Sequence, residues 1–208
     1  MSGQNPSCPL NRRHFLQRIV PLGCLSCIGA PAMLCESVLA SQDIPASHKF
    51  KEDSQYSFEE LFKFAIAENL VRHLEGVGEQ IGRDRLIEIL KSATENRVRR
   101  FSKRSAKKSG KVDFSTYTDW ARNPDRYWKH VLTFDIVEDT SNTFELKITE
   151  CLWAKTFREA GAADIGYATT CHADFAFAEG YSTKLRLVRS KTLMEGHDCC
   201  NHRFLWQT

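Results

Sequence analysis

The sequence predicts an α+β fold, with an antiparallel sheet of about four strands arranged as two hairpins and covered by N-terminal and central helices. Three observations predict it. Leu132, Phe134 and Ile136 alternate with polar residues, and after the polar turn Asp139 to Asn142 the alternation resumes at Phe144, Leu146 and Ile148. Two apolar patterns at helical spacing precede this hairpin, and a second strand pair closes the chain. Hairpins build antiparallel sheets, and such a sheet buries one apolar face under helices.

Each element follows from local chemistry. Ser57-Phe58-Glu59-Glu60 is a capping box, and Phe58, Leu61, Phe62, Ala65, Ile66 and Leu70 then predict a helix over about 58–74, with Gly76 and Gly78 expected to break it. Leu86, Ile87, Leu90, Ala93 and Val98 predict a second helix over about 83–101. The run from Arg97 to Lys111 holds eight basic residues out of 15 and reads as a helix end fraying into a solvated loop. Only Phe101 interleaves with its charges, so the stacking partners of a single-strand binder are missing and no nucleic-acid partner is expected. Tyr117, Trp120, Tyr127 and Trp128 surround Pro124 in a short helical patch that reads as core and lid packing. After the first hairpin, Cys151 to Ala160 and Ala162 to Glu179 read as two helices separated at Gly161, and Leu185 to Val188 as a third strand. The last hairpin turns at Glu195 to Asp198. Its returning strand puts Cys200, His202, Phe204 and Trp206 on one face and Cys199, Asn201, Arg203 and Leu205 on the other.

Composition bounds the function. The chain has 208 residues with 42% apolar and 11% aromatic side chains, which excludes disordered, collagen-like and coiled-coil classes. Its 29 basic against 26 acidic residues leave a net charge of +3, too weak a bias to imply a polyanionic partner. Four of its eight cysteines, Cys8, Cys24, Cys27 and Cys35, fall at the N-terminus, where Arg12-Arg13, Phe15-Leu16 and the uncharged stretch Ile19 to Cys35 resemble a twin-arginine export signal. Asn11 and Gln17 depart from that pattern. Val38-Leu39-Ala40 places the cut after Ala40. The expected organisation is a signal over 1–40, a polar flexible entry over 41–56 and one α+β domain over 57–208.

An uncleaved anchor is the other reading of this segment, but the run is shorter than the roughly 20 residues a span needs and is interrupted by Pro21, Gly23, Gly29 and Pro31. Leu22-Gly23-Cys24 is a partial lipobox after too short an apolar stretch, and Cys24-x-x-Cys27 matches a redox or zinc motif only in spelling. The expectations are therefore export by the twin-arginine machinery, a periplasmic or other extracytoplasmic location, and no stable span in the mature chain. That route carries folded proteins, often with a cofactor in place.

Reactive side chains concentrate in the last third, with Glu150-Cys151, Asp164, Cys171-His172, Asp174 and the group His197, Asp198, Cys199, Cys200, His202. No Walker A loop, G-x-S-x-G, G-x-G-x-x-G or H-E-x-x-H is present, which removes the usual warrants for P-loop enzymes, serine hydrolases, dinucleotide enzymes and zincins. The end of the second strand, the helix carrying Cys171 and the last hairpin can share one pocket. Cys171 and Cys200, each with an acid/base neighbour, are the leading thiols. The plain alternative is that each cysteine is a small buried residue, which suits Cys151 and Cys199 best.

These residues also carry a resemblance. ECLWAKTFREAGAADIGYATTCHADFAFAEGY and TLMEGHDCCNHRF resemble the L-2-amino-thiazoline-4-carboxylic acid hydrolase family: Cys151 closing a strand, Asp164-Ile165-Gly166, Cys171 with Asp174-Phe175-Ala176, Thr192 with Gly196 and Cys200, then Arg203-Phe204. Asn201 and His202 stand where the family often has an acidic residue and Phe. The resemblance implies hydrolytic opening of a thiazoline ring to N-carbamoyl-L-cysteine, or of a related cyclic amidine, with a small-molecule substrate and no required cofactor. It implies that Cys171 adds to the ring carbon or that His172 or Asp174 takes a proton from water, with Cys200 and His202 assisting. Arg186, Arg189 or Arg203 would hold the substrate carboxylate. A different class remains open: Cys151, Cys171, Cys200 and His172 or His202 form a soft set suited to zinc or an iron–sulfur cluster. A third reading is a ligand-binding or sensor domain without turnover.

Overall fold

The computed structural model describes residues 56–207. The expected export signal, its cleavage site and nearly all of the entry segment lie outside the described residues. Among them, no helix is long and apolar enough to cross a membrane.

The capping box forms as the sequence requires. Ser57 Oγ accepts from the Glu60 N–H at 3.2 Å, and the Glu60 carboxylate accepts from the Ser57 N–H at 2.7 Å. It starts α1 (Phe58–Lys63), which continues through a π-helical stretch, Phe64–Val71, into α2 (Arg72–Ile81). Gly76 and Gly78 do not break this helix, contrary to expectation. Gly78 is buried, and a Cβ there would meet Leu86 Cδ2 at 3.2 Å, so the missing side chain lets the next helix approach. The break comes at Gly82, whose φ of 88° lies in the region that favours glycine.

Helix α3 (Arg83–Ser109) is longer than expected, because the basic run stays helical up to Gly110. Ser102 and Ala106 on its inner side are buried, while the arginines and lysines of the basic run are exposed. The aromatic patch resolves into α4 (Phe114–Arg122) and α5 (Arg126–Val131), capped by Asp113 and Asp125 carboxylates that accept from the Thr116 and Trp128 N–H groups.

Strands β1 (Leu132–Asp139) and β2 (Thr143–Cys151) form the first hairpin. Then α6 (Leu152–Glu159), α7 (Ala163–Gly166), a π-helical turn Tyr167–Cys171 and α8 (Ala173–Tyr181) lead to β3 (Leu185–Val188) and β4 (Cys200–Trp206). Gly161 separates the central helices at φ 69°. The sheet is antiparallel throughout, in the order β1-β2-β4-β3. The last hairpin is wider than expected: its connection carries a 3-10 turn, Leu193–Glu195, before Gly196.

One sheet face is covered. Phe144, Leu146, Ile148, Cys200 and Phe204 are buried with Tyr117 and Ala121 of α4 and with Ala178 and Tyr181 of α8. The other face carries exposed Lys147 and Thr149, and Arg203 lies between Glu138 and Glu145 at 2.7 and 2.6 Å. Ile136 does not join the core as its alternation suggests. Register shifts at Thr133/Phe134 and Ile136/Glu138 disturb the edge strand, and Ile136 is left exposed. A second cluster joins Val71, Leu86, Phe157, Ile165 and Met194, and Cys151 and Leu193 pack at the margins of both clusters.

Candidate functional site

The chemistry gathers around Arg189, the residue that follows β3. Its side chain is 2% exposed. Nη1 donates to Asp174 Oδ2 at 2.6 Å and contacts His202 Nε2 at 3.2 Å, while Nη2 donates to the Cys171 carbonyl at 3.1 Å. The guanidinium carbon lies 4.8 Å from the Phe175 ring centre and 5.7 Å from that of Tyr167. Three elements supply these partners. The π-helical turn contributes Tyr167 and Cys171, the first turn of α8 contributes Asp174 and Phe175, and β4 places His202 on the same face as Cys200 and Phe204. A π-helical turn in this place fits the tendency of such turns to occur at functional sites.

Arg189 carries only donors, so the His202 Nε2 facing it presents its lone pair and the ring is neutral. Burial pulls the His202 pKa below its ordinary value; Arg189 acts in the same direction, and Asp174 opposes it. His202 Nε2 stands 3.7 Å from Asp174 Oδ2, beyond a hydrogen bond. Asp174 Oδ1 has no hydrogen-bond partner among the described residues, and the side chain is 37% exposed. That oxygen is available to a ligand or a water.

The thiols are held protonated. Burial pushes Cys171 well above the usual thiol range, and the Asp174 carboxylate adds to the effect. Cys200 is pushed up to about 11 by burial, partly offset by the Leu193 N–H that its Sγ accepts at 3.2 Å. Cys151 caps α6 by accepting from the Ala154 N–H at 3.5 Å, yet burial still raises it. Charge on any one of the three would raise the others or be raised by them, which places them in one electrostatic neighbourhood.

The structure thus brings together Cys171, Asp174, Arg189 and His202, with Cys151 and Cys200 close by. Other expected residues are engaged elsewhere. His172 Nε2 meets Glu95 Oε1 at 2.5 Å, Arg203 is held by its two glutamates on the outward face, and Arg186 is exposed on β3. Cys199 is buried outside the strand, in the role expected of it. Among the described residues, no three His, Cys, Asp or Glu side chains gather as metal ligands. The set Cys151, Cys171, Cys200 and His202 is not assembled because Cys151 and Cys200 each face a backbone N–H and His202 faces Arg189.

Sequence reasoning gave no role to Tyr167 or Glu95, and it named Phe175 only as part of a motif. An aromatic in a helix carries no mark of an arginine partner, and Glu95 is remote in sequence from His172.

A family model described as L-2-amino-thiazoline-4-carboxylic acid hydrolase matches residues 55–204. No curated protein matches the chain. Among solved structures, the crystal structure of the phenol-responsive sensory domain of the transcription activator PoxR with phenol is similar at 11% identity and a TM-score of 0.45, covering 66% of this chain and 72% of that one.

Proposed function

Because the chain belongs to the L-2-amino-thiazoline-4-carboxylic acid hydrolase family, we propose that it opens the ring of 2-amino-thiazoline-4-carboxylate, or of a close cyclic amidine, by hydrolysis at a cysteine-centred site. The observation that carries this reading is the buried Arg189, which holds Asp174, His202 and the Cys171 segment in one arrangement.

The electrophile is the ring carbon bonded to sulfur and two nitrogens. Asp174 Oδ1 accepts an N–H of the amidine and fixes that carbon near Cys171. The cationic amidine offsets the burial that keeps the Cys171 thiol protonated, so a thiolate forms when substrate binds and its proton passes to Asp174. The thiolate adds to the carbon, the ring C–S bond breaks, and the leaving thiolate recovers the proton. Water then replaces Cys171 on that carbon and becomes the carbonyl oxygen of the N-carbamoyl product. Over both steps one water is consumed: its oxygen becomes the carbonyl, one of its protons ends on sulfur, and the other is released to solvent, because the cationic amidine already carries the proton that the former ring nitrogen keeps.

The reading is tested by incubating purified protein with 2-amino-thiazoline-4-carboxylate and following thiol release together with N-carbamoyl-L-cysteine. Folded protein that releases neither product sinks it. Export by the twin-arginine route belongs to the same proposal: Arg12→Lys with Arg13→Lys keeps the charge but loses the planar fork, so precursor should accumulate in the cytoplasm. Normal export of that double variant overturns the export claim and leaves the chemistry untouched.

A further inference from the structure

A cleft of about 650 Å³ lies between α5, α6 and the paired ends of β1 and β2, away from Arg189 and with Cys151 in its wall. Its charges are unevenly committed. Glu59 accepts from both Lys63 and Lys155, and Glu159 is paired with Lys63. These groups cancel. Lys129 and Arg158 also line the cleft, and among the described residues neither has a carboxylate partner. Arg158 uses one Nη1 hydrogen bond on the Leu193 carbonyl, at 3.3 Å, and its Nη2 and Nε have no partner among the described residues. On the other side of the balance, Glu150 has no cationic partner among the described residues. Thr133 Oγ1 donates to its Oε2 and leaves Oε1 open. The cleft therefore presents two unpaired cations and one unpaired carboxylate beside a thiol.

We propose that this cleft binds a small zwitterion of amino-acid size. Lys129 and Arg158 hold its carboxylate, Glu150 takes its cationic or N–H-bearing end, and the ligand lies against Cys151. Each half of the ligand supplies what the wall lacks: the carboxylate gives Arg158 the planar acceptor its fork matches, and the cationic end neutralises Glu150. Cys151 belongs to the margins of both apolar clusters and shares the electrostatics of Cys171 and Cys200, so a ligand held here sits at the threshold of the buried thiols. Neither Cys171 nor Arg189 lines the cleft, and the inference goes beyond ring opening to a recognition site with its own residues.

The probes are iodoacetate and iodoacetamide, which deliver the same chemistry with and without a carboxylate. Native protein is alkylated at mildly alkaline pH, because burial raises the Cys151 thiol, and modification of Cys151 is resolved by peptide mass spectrometry. The rate ratio of the two reagents is compared with that of the same cysteine in urea-unfolded chain. One ion pair at a partly exposed site contributes about a fivefold preference, so native Cys151 should favour iodoacetate by about fivefold or more. The preference should vanish in Arg158→Gln with Lys129→Gln, variants of exposed residues that leave the core intact. A native ratio equal to the unfolded one, or a Cys151 that neither reagent reaches, overturns the proposal. Loss of thiazoline turnover with the labelling preference intact would count against the ring-opening reading alone.

Discussion

Arg189 and Asp174 form an unequal pair: the guanidinium is 2% exposed and the carboxylate 37%, with Nη1 2.6 Å from Oδ2. Removing either partner therefore has different consequences. Arg189→Met keeps the aliphatic bulk between Tyr167 and Phe175 and leaves Asp174 free to be hydrated, so it should cost about 1–3 kcal/mol. Asp174→Asn leaves a buried cation without its counter-charge and should cost more, about 3–5 kcal/mol. Urea denaturation of the two variants gives the order. If Arg189→Met is the more damaging, packing against the two rings outweighs the ion pair.

His202 supplies a pH dependence with a definite sign. Its pKa in the folded protein lies below the ordinary histidine value of about 6.5, because burial outweighs the attraction of Asp174 and Arg189 adds to the lowering. Below about pH 6.5 the unfolded chain binds a proton that the folded chain refuses, so stability falls as pH drops from there toward the depressed folded value and levels off below it. Melting temperatures from about pH 8 to pH 5 should show this loss, and His202→Gln should flatten it. The acidic groups with lowered values, such as Asp113 at about 2, release their contribution only at lower pH. A wild-type profile flat across this window would mean that His202 is not held neutral.

The sheet gives a paired test of packing. Leu146 is 0% exposed in the middle of β2, so Leu146→Ala should cost about 2–5 kcal/mol. Ile136, opposite it in register on β1, is 40% exposed, so Ile136→Ala should cost well under half as much. Equal losses by chemical denaturation would place Ile136 in the core after all.

That contrast also marks what the sequence can reveal. The alternation at Phe144, Leu146 and Ile148 predicted a buried face because a central strand has neighbours on both sides to enforce the period. On the edge strand the same alternation held at Phe134, which packs against the core, but failed at Ile136, which is exposed between the two register shifts. Capping residues Ser57, Asp113 and Asp125 act within three residues, and the first of them was legible on that ground. Gly76 and Gly78 misled because a buried packing contact with Leu86 overrode their weak helix propensity. At the site, Cys171, Asp174 and His202 were legible from their density, and Arg189 was one of three arginines that sequence could not rank. Only the fold separates Arg189 at the end of β3, Arg203 on the outward face and Arg186 in solvent.

Cys171 decides the chemistry of the proposed reaction. Burial and the nearby Asp174 carboxylate hold its thiol well above the ordinary range, so free enzyme carries almost no thiolate at neutral pH and should react slowly with alkylating reagents at this position. A bound cationic amidine lowers that barrier by supplying the charge the pocket lacks. Cys171→Ser keeps the size and a donor but replaces the thiol with a far weaker nucleophile, so ring opening should fall by at least about 100-fold while the melting temperature stays close to wild type. Cys200→Ser, which retains an acceptor for the Leu193 N–H, should lower activity less. The decisive measurement is thiol release from 2-amino-thiazoline-4-carboxylate by the two variants beside their melting curves. A Cys171→Ser protein that keeps full activity would make water the direct nucleophile, with Asp174 as its base, and would reduce Cys171 to a buried packing residue whose carbonyl anchors Arg189.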